Sequence, residues 1–333
     1  MNPIRRMLAR CTFAAVATVG LFATPGASAA DAYPSRPVVL MVPYPAGGLS
    51  DAIARSMNAR LSKALGQPVV IENLGGVSGA MAAQKVLNAP ADGYMIFLGS
   101  PNEVILAPLS NAAVKLRTED FRLLTPVTVN RLVMVARPDL PARTVDEVIA
   151  LAKANPAKPL TYGSVGPGSM YHLVTEDMAT RTHIGVSHIP YKGMAPLVQD
   201  LAGKNVDFAI LPYATSFRGL ADQGRLKLVG WAGNSRSKTD PAIPAFGEGT
   251  QLKDFDQATW AGIMVKQGTP EAVVTRLYQA LVETLQDPQV ASGLEATGAE
   301  VAKPSSLADA QRFLQAETGK FRAMAKRINL QPQ

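Results

Sequence analysis

Short apolar runs alternate with helix-period segments along most of this chain, and that alternation restricts it to an α/β architecture with a mostly parallel sheet. The runs are PVVLMV, QPVVIEN, YMIFLGS, RLVMVAR, PLTYGS, VDFAILPY, LKLVGWA and WAGIMV. Between them, residues 51–66 put Ile53, Met57, Leu61, Ala64 and Leu65 on one helical face. TVDE at 144–147 predicts a capping box, and Thr269 before Pro270 predicts an N-cap with a first-turn proline. Val274, Leu277, Leu281 and Leu285 form a stripe along the helix that follows. A final amphipathic helix is expected over 306–329, basic towards its end.

The first thirty residues have a different grammar. MNPIRRMLAR is basic, CTFAAVATVGLFA is apolar and GASAADA is small, the pattern of a secretory signal peptide cleaved after Ala29 or Ala30. The residues around Arg5 and Arg6 fit the twin-arginine motif poorly, so Sec export to the periplasm is expected. Cys11, the sole cysteine, falls within the signal, which excludes disulfides, thiolate metal sites and a cysteine nucleophile from the mature chain. Loss of Arg5, Arg6 and Arg10 lowers the formal charge from +7 to +4. That mild excess suits a small anion. Nucleic acid is a poor fit, because no run of Lys and Arg interleaves with aromatics.

Two extended stretches could carry the chain between lobes: 123–141, and the Gly-, Pro- and Ser-rich 230–251. The expected division is lobe 1 from 31–130 plus 251–333, and lobe 2 from 131–250, with a hinge and a ligand cleft between them. In each lobe a strand runs into a glycine-rich turn and then a helix: VPYPAGGLSDAIAR at 42–55 and LTYGSVGPGSMYHL at 160–173. Such turns gather at the carboxyl ends of strands, where open α/β sheets bind ligands. Bare backbone and unpaired N–H groups at a helix start can hold a carboxylate without any charged side chain. One such site on each lip of a cleft fits a dicarboxylate. Asp51 reads as a first-turn acid. Ser50, Ser164 and Ser169 could cap helices or donate to an anion, and His172 reads as a structural hydrogen-bond partner. A third glycine-rich segment, ENLGGVSGAMAAQ at 72–84, could line the cleft or simply turn the chain, and the turn is the favoured reading.

Catalytic motifs are missing. There is no GxSxG, no GxxxxGK[ST] and no GxGxxG, and His172, His183 and His188 lack HExxH spacing. Glu176 and Asp177 read as the exposed side of a helix. The expectation is therefore a binding protein, not an enzyme, with no cofactor and no metal.

Several segments, in order, resemble the Bug family of periplasmic solute receptors, the extracytoplasmic subunits of tripartite tricarboxylate transporters. They are YPSRPVVLMVPYPAGGLSDAIAR, GQPVVIENLGGVSGAMAAQKVLNAPADGY, EDF at 119–121, YGSVGPGSMYHL, HIPYKG at 188–193 and WAGIMVKQGTPEAVVTRL at 260–277. The resemblance implies a two-lobed "Venus flytrap" that delivers an organic acid to a large and a small membrane subunit, or reports it to a sensor kinase. It implies first-lobe contacts from Tyr44 to Asp51, mainly through the backbone at Gly47, Gly48 and Leu49. Second-lobe contacts would come from Ser164, Val165, Gly166, Gly168 and Ser169, with His172 behind them. Ser100 and Asn102 in GSPN, and Tyr213 in LPYA, would face the variable end of the ligand. The sequence departs from the family pattern at Gly75, Val77 and Met95 and through 103–118, so the resemblance carries the fold and not the ligand. Tyr44, Tyr171, Tyr191 and Tyr213 make an aromatic dicarboxylate such as terephthalate a candidate beside citrate-like and C4–C6 acids. A monomer is expected. A secreted hydrolase is the alternative of a different class.

Overall fold

The computed structural model describes residues 33–332. The signal-peptide and Cys11 expectations lie outside them. The first elements are β1 (Val38–Val42), α1 (Leu49–Leu65), β2 (Val69–Asn73), α2 (Ala80–Asn88) and β3 (Met95–Gly99). A π-helical turn, Asn102–Leu106, leads into α3 (Ala107–Ser110) and then β4 (Phe121–Ala136). Next come α4 (Val145–Ala154), β5 (Leu160–Ser164), α5 (Met170–Thr182), β6 (Val186–Pro190), α6 (Met194–Ala202), β7 (Phe208–Pro212), α7 (Thr215–Asp222) and β8 (Lys227–Trp231). The chain closes with β9 (Ala258–Lys266), α8 (Glu271–Leu285), α9 (Pro288–Glu295), β10 (Glu300–Val301) and α10 (Leu307–Arg327).

The strands follow the order β2-β1-β3-β9-β4-β7-β5-β6, with β8 and β10 also on β4. β4 joins two sheet segments. Its first part, Phe121–Arg131, pairs with β9, and its last part, Leu132–Ala136, pairs with β7 and β8. Pro126 is tolerated in so long a strand because the register shifts on either side of it, between Leu123 and Thr125 and between Pro126 and Thr128. The expectation of a mostly parallel sheet needs correction. β1 is parallel to β2 and β3, and β5 to β6 and β7, but every pairing of β4 and β9 is antiparallel. The crossing strands run against the strands they join.

One core lies between the β1–β9 segment and helices α1, α8 and α9. There Ile53, Met57, Leu61, Val274, Leu277 and Leu281 pack on Leu40, Ile263 and Val265, all essentially inaccessible to solvent. The predicted helical stripes are these buried faces. A second core is continuous from Phe97 and Phe121 through β4 to Phe208 and Trp231, and takes in Leu314 and Phe321 of α10. Helix starts match in part. Thr144 caps α4 by accepting from Glu147 N, but the Glu147 carboxylate reaches Arg143 N, not the cap residue. Thr269 is not a cap: its hydroxyl donates to Lys266 O, and α8 begins one residue later than expected, after Pro270.

Candidate functional site

The carboxyl ends of β1, β5 and β6 open onto a cleft with two adjoining compartments. The smaller, about 220 Å³, is walled by Gly48, Leu49 and Ser50 at the start of α1 and by Gly193, Met194 and Ala195 at the start of α6. Tyr171 and Pro212 complete it. The larger, about 750 Å³, is lined by Gly75–Gly79, Ser110, Asn111, Gly166, Pro167 and Tyr191. Tyr44, Pro45, Val165 and Lys192 belong to both walls. The glycine-rich segment at 75–79 is thus cleft wall as well as turn, so the less favoured of its two readings applies.

The start of α1 is built to stay open. Its N-cap is Gly48, with φ −84°, and no side chain caps the helix. A Cβ at Gly48 would meet only Pro45 O, at an ordinary 3.5 Å. Neither packing nor backbone conformation therefore requires glycine here; its effect is to leave the first-turn N–H groups approachable. Asp51 holds the loop from behind. It is buried, and accepts from Gly47 N at 2.9 Å and from Arg55 Nε at 2.8 Å. The Arg55 guanidinium, helped by Gly47 N–H, keeps its carboxyl below the ordinary range despite desolvation. Asn73 Nδ2 donates to Tyr44 O at 2.9 Å and fixes the other side of the loop.

α6 begins the same way. Its N-cap, Gly193, is extended, carries no capping side chain, and would place a Cβ in open space. Sequence reading missed this second open helix start. The available signal was a glycine closing the HIPYKG turn directly before a helix, but β6 was not recognised because Ser187 and His188 interrupt its short apolar run.

The 164–169 loop behaves differently from expectation. Gly166 N donates to Ser164 Oγ at 3.1 Å, Gly168 N to His172 Nδ1 at 2.9 Å, and Ser169 N to Gly166 O at 3.2 Å. Met170 N donates to Asn102 Oδ1 at 2.7 Å, and Ser169 Oγ caps α5 by accepting from His172 N. Four donors of this loop and helix start, Gly166 N, Gly168 N, Ser169 N and Met170 N, are thus engaged within the protein. Buried serines and a histidine beside a glycine loop satisfy that loop first. Val165, Gly166 and Pro167 still line the cleft, but Ser164 and Ser169 are fully buried behind it. His172 has the structural role anticipated, stacking on His188 at 4.4 Å while His188 Nε2 sits 2.7 Å from Ser164 Oγ. Burial lowers both imidazoles, and the neighbouring His172 helps push His188 down to about 4.

Ser100, Asn102 and Tyr213 do not form cleft wall. Ser100 N donates to Glu103 Oε2 at 2.6 Å, and Asn102 Nδ2 donates to Tyr44 Oη at 3.1 Å. Through its two ends Asn102 therefore ties Tyr44 to the start of α5. Glu103 is fully buried, and burial raises it to about 7 against the pull of Ser100 and Tyr44. Tyr213 packs on Trp231, with its hydroxyl 3.4 Å from Asp240. Of the four tyrosines, Tyr44 and Tyr171 line the small compartment, and Tyr191 lines the large one with its hydroxyl donated to Asp200 at 2.8 Å.

Glu176 and Asp177 are not an exposed face. Tyr162 donates its hydroxyl to Glu176 Oε1, and the fully buried Asp177 lies 3.0 Å from Arg181 Nε and 2.9 Å from Arg327 Nε. The reason is non-local: α10 covers this face of α5 and brings Arg327 with it. Among the described residues no cluster of three or more His, Asp or Glu could hold a metal ion, and no helix is long and apolar enough to cross a membrane.

Two sheet-bearing halves, joined by a long shared strand and facing a cleft lined by strand-to-helix turns, define a two-lobed solute-binding protein of the periplasmic type. The chain belongs to the tripartite tricarboxylate transporter receptor family, whose model matches residues 53–330. It is 35% identical over 320 residues to a UPF0065 protein of Bordetella pertussis, covering 96% of this chain and 97% of that one. The periplasmic binding protein BugD superposes with a TM-score of 0.82 at 29% identity, covering 90% of this chain and 100% of that one. R. palustris Rpa4515 with adipate gives 0.83 at 30% identity, with the same coverage. MatC from Rhodopseudomonas palustris with bound malate gives 0.80 at 25% identity, covering 88% and 99%.

Proposed function

We propose that the chain is a periplasmic receptor that captures an organic di- or tricarboxylate and delivers it, as a monomer, to the two membrane subunits of a tripartite transporter. One observation carries this reading. The small compartment is walled by two helix starts without capping side chains, and its lining includes one lysine and no carboxylate. Each helix start supplies N–H donors and the positive end of its dipole, worth about 0.3–1 kcal/mol each near the surface. Charge-assisted hydrogen bonds, at about 1.5–3 kcal/mol apiece, supply the larger share. The carboxylate sits between α1 and α6, and the body of the ligand extends past Tyr44 and Val165 into the larger compartment. Lobes of 31–130 plus 251–333 and of 131–250 close over it.

The acids named for related structures, malate and adipate, are aliphatic. Tyr44 and Tyr171 in the small compartment keep terephthalate in the same test. That test is a melting-temperature scan of the signal-free protein against malate, adipate, succinate, citrate, terephthalate and protocatechuate. A ligand at a hundred times its Kd stabilises the folded state by about 2.7 kcal/mol. One or more strong shifts are expected; a flat response across the panel would contradict the reading.

A further inference from the structure

Lys192 is the one charged side chain in the walls of both compartments, and it stands where they meet. It lies in the turn after β6, whose ladder with β5 continues one step further through Tyr191 N donating to Ser164 O at 2.8 Å. Gly193 then opens α6. The backbone on either side of Lys192 is therefore fixed, while its side chain is exposed to the cleft. Among the described residues no carboxylate lies within ion-pairing distance of its ammonium. Asp200, the acid next to Tyr191, accepts instead from the Tyr191 hydroxyl at 2.8 Å and from Asn205 Nδ2 at 3.1 Å. A lysine left without a partner at the junction of two cavities, one of them already suited to a carboxylate, calls for a second negative charge on the ligand.

We propose that Lys192 is the specificity residue that selects dicarboxylates over monocarboxylates, pairing with the second carboxylate while the first lies between the starts of α1 and α6. This rests on the receptor reading above and names its substrate class. The N–H donors at the two helix starts do not count charges, since they accept any carboxylate. Discrimination needs a cation one ligand length away, and the rest of the large compartment's wall is neutral: Ser78, Ser110, Asn111 and the Tyr191 ring. An ammonium on a flexible stem reaches acids of several lengths, so it selects charge number and not chain length.

The test is paired titration calorimetry with adipate, malate and terephthalate, each against its monomethyl ester, on the wild-type protein, Lys192→Gln and Lys192→Arg. The wild type should favour each diacid it binds over its ester by about tenfold or more, the low end for a charge-assisted hydrogen bond. Lys192→Gln should lose that preference, its affinity for the diacid falling about tenfold more than its affinity for the ester, and Lys192→Arg should keep most of it. The preference should also shrink with added salt in the wild type and in Lys192→Arg, but not in Lys192→Gln. Equal loss for diacid and ester in Lys192→Gln, or no loss for either, would overturn the role of Lys192 and leave the receptor reading standing. A wild-type protein that binds neither diacids nor esters would instead overturn the receptor reading itself.

Discussion

Two strand–glycine–helix turns with the same outline face the cleft, at 43–50 and at 164–169, and they present opposite chemistry. The first ends in a glycine N-cap and leaves the opening N–H groups of α1 uncapped. The second ends in Ser169, which caps α5, while Ser164 and His172 accept from Gly166 N and Gly168 N. Glycine content does not separate them. What separates them is whether a side chain within three or four residues can accept the donors that the turn exposes. α6 sorts with the first turn, since Gly193 also caps without a side chain. A glycine N-cap thus marks a helix start open to a ligand, and a serine N-cap marks one closed on itself.

The largest break in this comparison comes from giving α1 a cap of its own. Gly48→Asp would place a carboxylate where the ligand's is expected, in space where a Cβ makes only an ordinary contact. Affinity for the preferred acid should fall by more than about a hundredfold, through lost hydrogen bonds and like-charge repulsion. Unfolding free energy should stay within about 0.5 kcal/mol, because glycine is nearly as good an N-cap as aspartate. Calorimetric Kd and urea denaturation would check the two halves; unchanged affinity would mean that α1 is not the carboxylate site.

The buried acid behind the first turn gives a pH test. Glu103 is raised from its ordinary 4.5 to about 7, so the folded state keeps its proton where the unfolded chain has released it. Below about pH 4.5 both states are protonated and the group has no effect. Between about 4.5 and 7 its contribution to stability falls as pH rises, and above 7 the cost is constant at about 3 kcal/mol. Glu103→Gln keeps an acceptor for Ser100 N and removes the titration. Its unfolding free energy relative to wild type should therefore climb from pH 4.5 to pH 7 and then level off. A difference that is flat with pH would show that Glu103 ionises in the folded protein as it does in the unfolded chain. His188, in the second region, has the opposite sign: lowered to about 4, it favours the folded state increasingly as pH rises through 4 to 6.5.

The second turn should respond in stability and not in binding. Ser169→Ala removes the α5 cap and should cost about 1 kcal/mol of folding free energy. His172→Ala, which strands Gly168 N–H, should cost about 1–2 kcal/mol. Affinity should move less than about threefold in either, read by the same calorimetry. A loss beyond tenfold in Ser169→Ala, with stability intact, would put the ligand on the second turn after all.

Much of the fold was legible because its signals are local. Ile53, Met57 and Leu61 on α1, and Val274, Leu277 and Leu281 on α8, are buried as their spacing predicts. β4 was legible only in part. The extended stretch 123–141 was read as a crossing and its RLVMVAR run as a strand, but that one strand continues through Pro126 was hidden, since the bulges that accommodate it depend on β9. The same dependence on distant partners hid the burial of Asp177, which Arg327 completes from the last turn of α10. Among the residues that line the cleft, Gly48 and Leu49 were readable from the turn chemistry, and Val165 and Gly166 from their loop. Gly193 was missed with β6, and Tyr213 was misplaced because a strand-end tyrosine can turn to either face. Whether a loop's donors are free is not written in the loop; it depends on rotamers of Ser164 and His172.

The most direct measurement is a crystal structure of the complex with whichever diacid gives the largest melting shift. One ligand carboxylate should lie about 3 Å from backbone nitrogens in the first turn of α1 or α6. A carboxylate found instead on Gly166 N and Gly168 N, with Ser164 and His172 turned away to release them, would contradict the account.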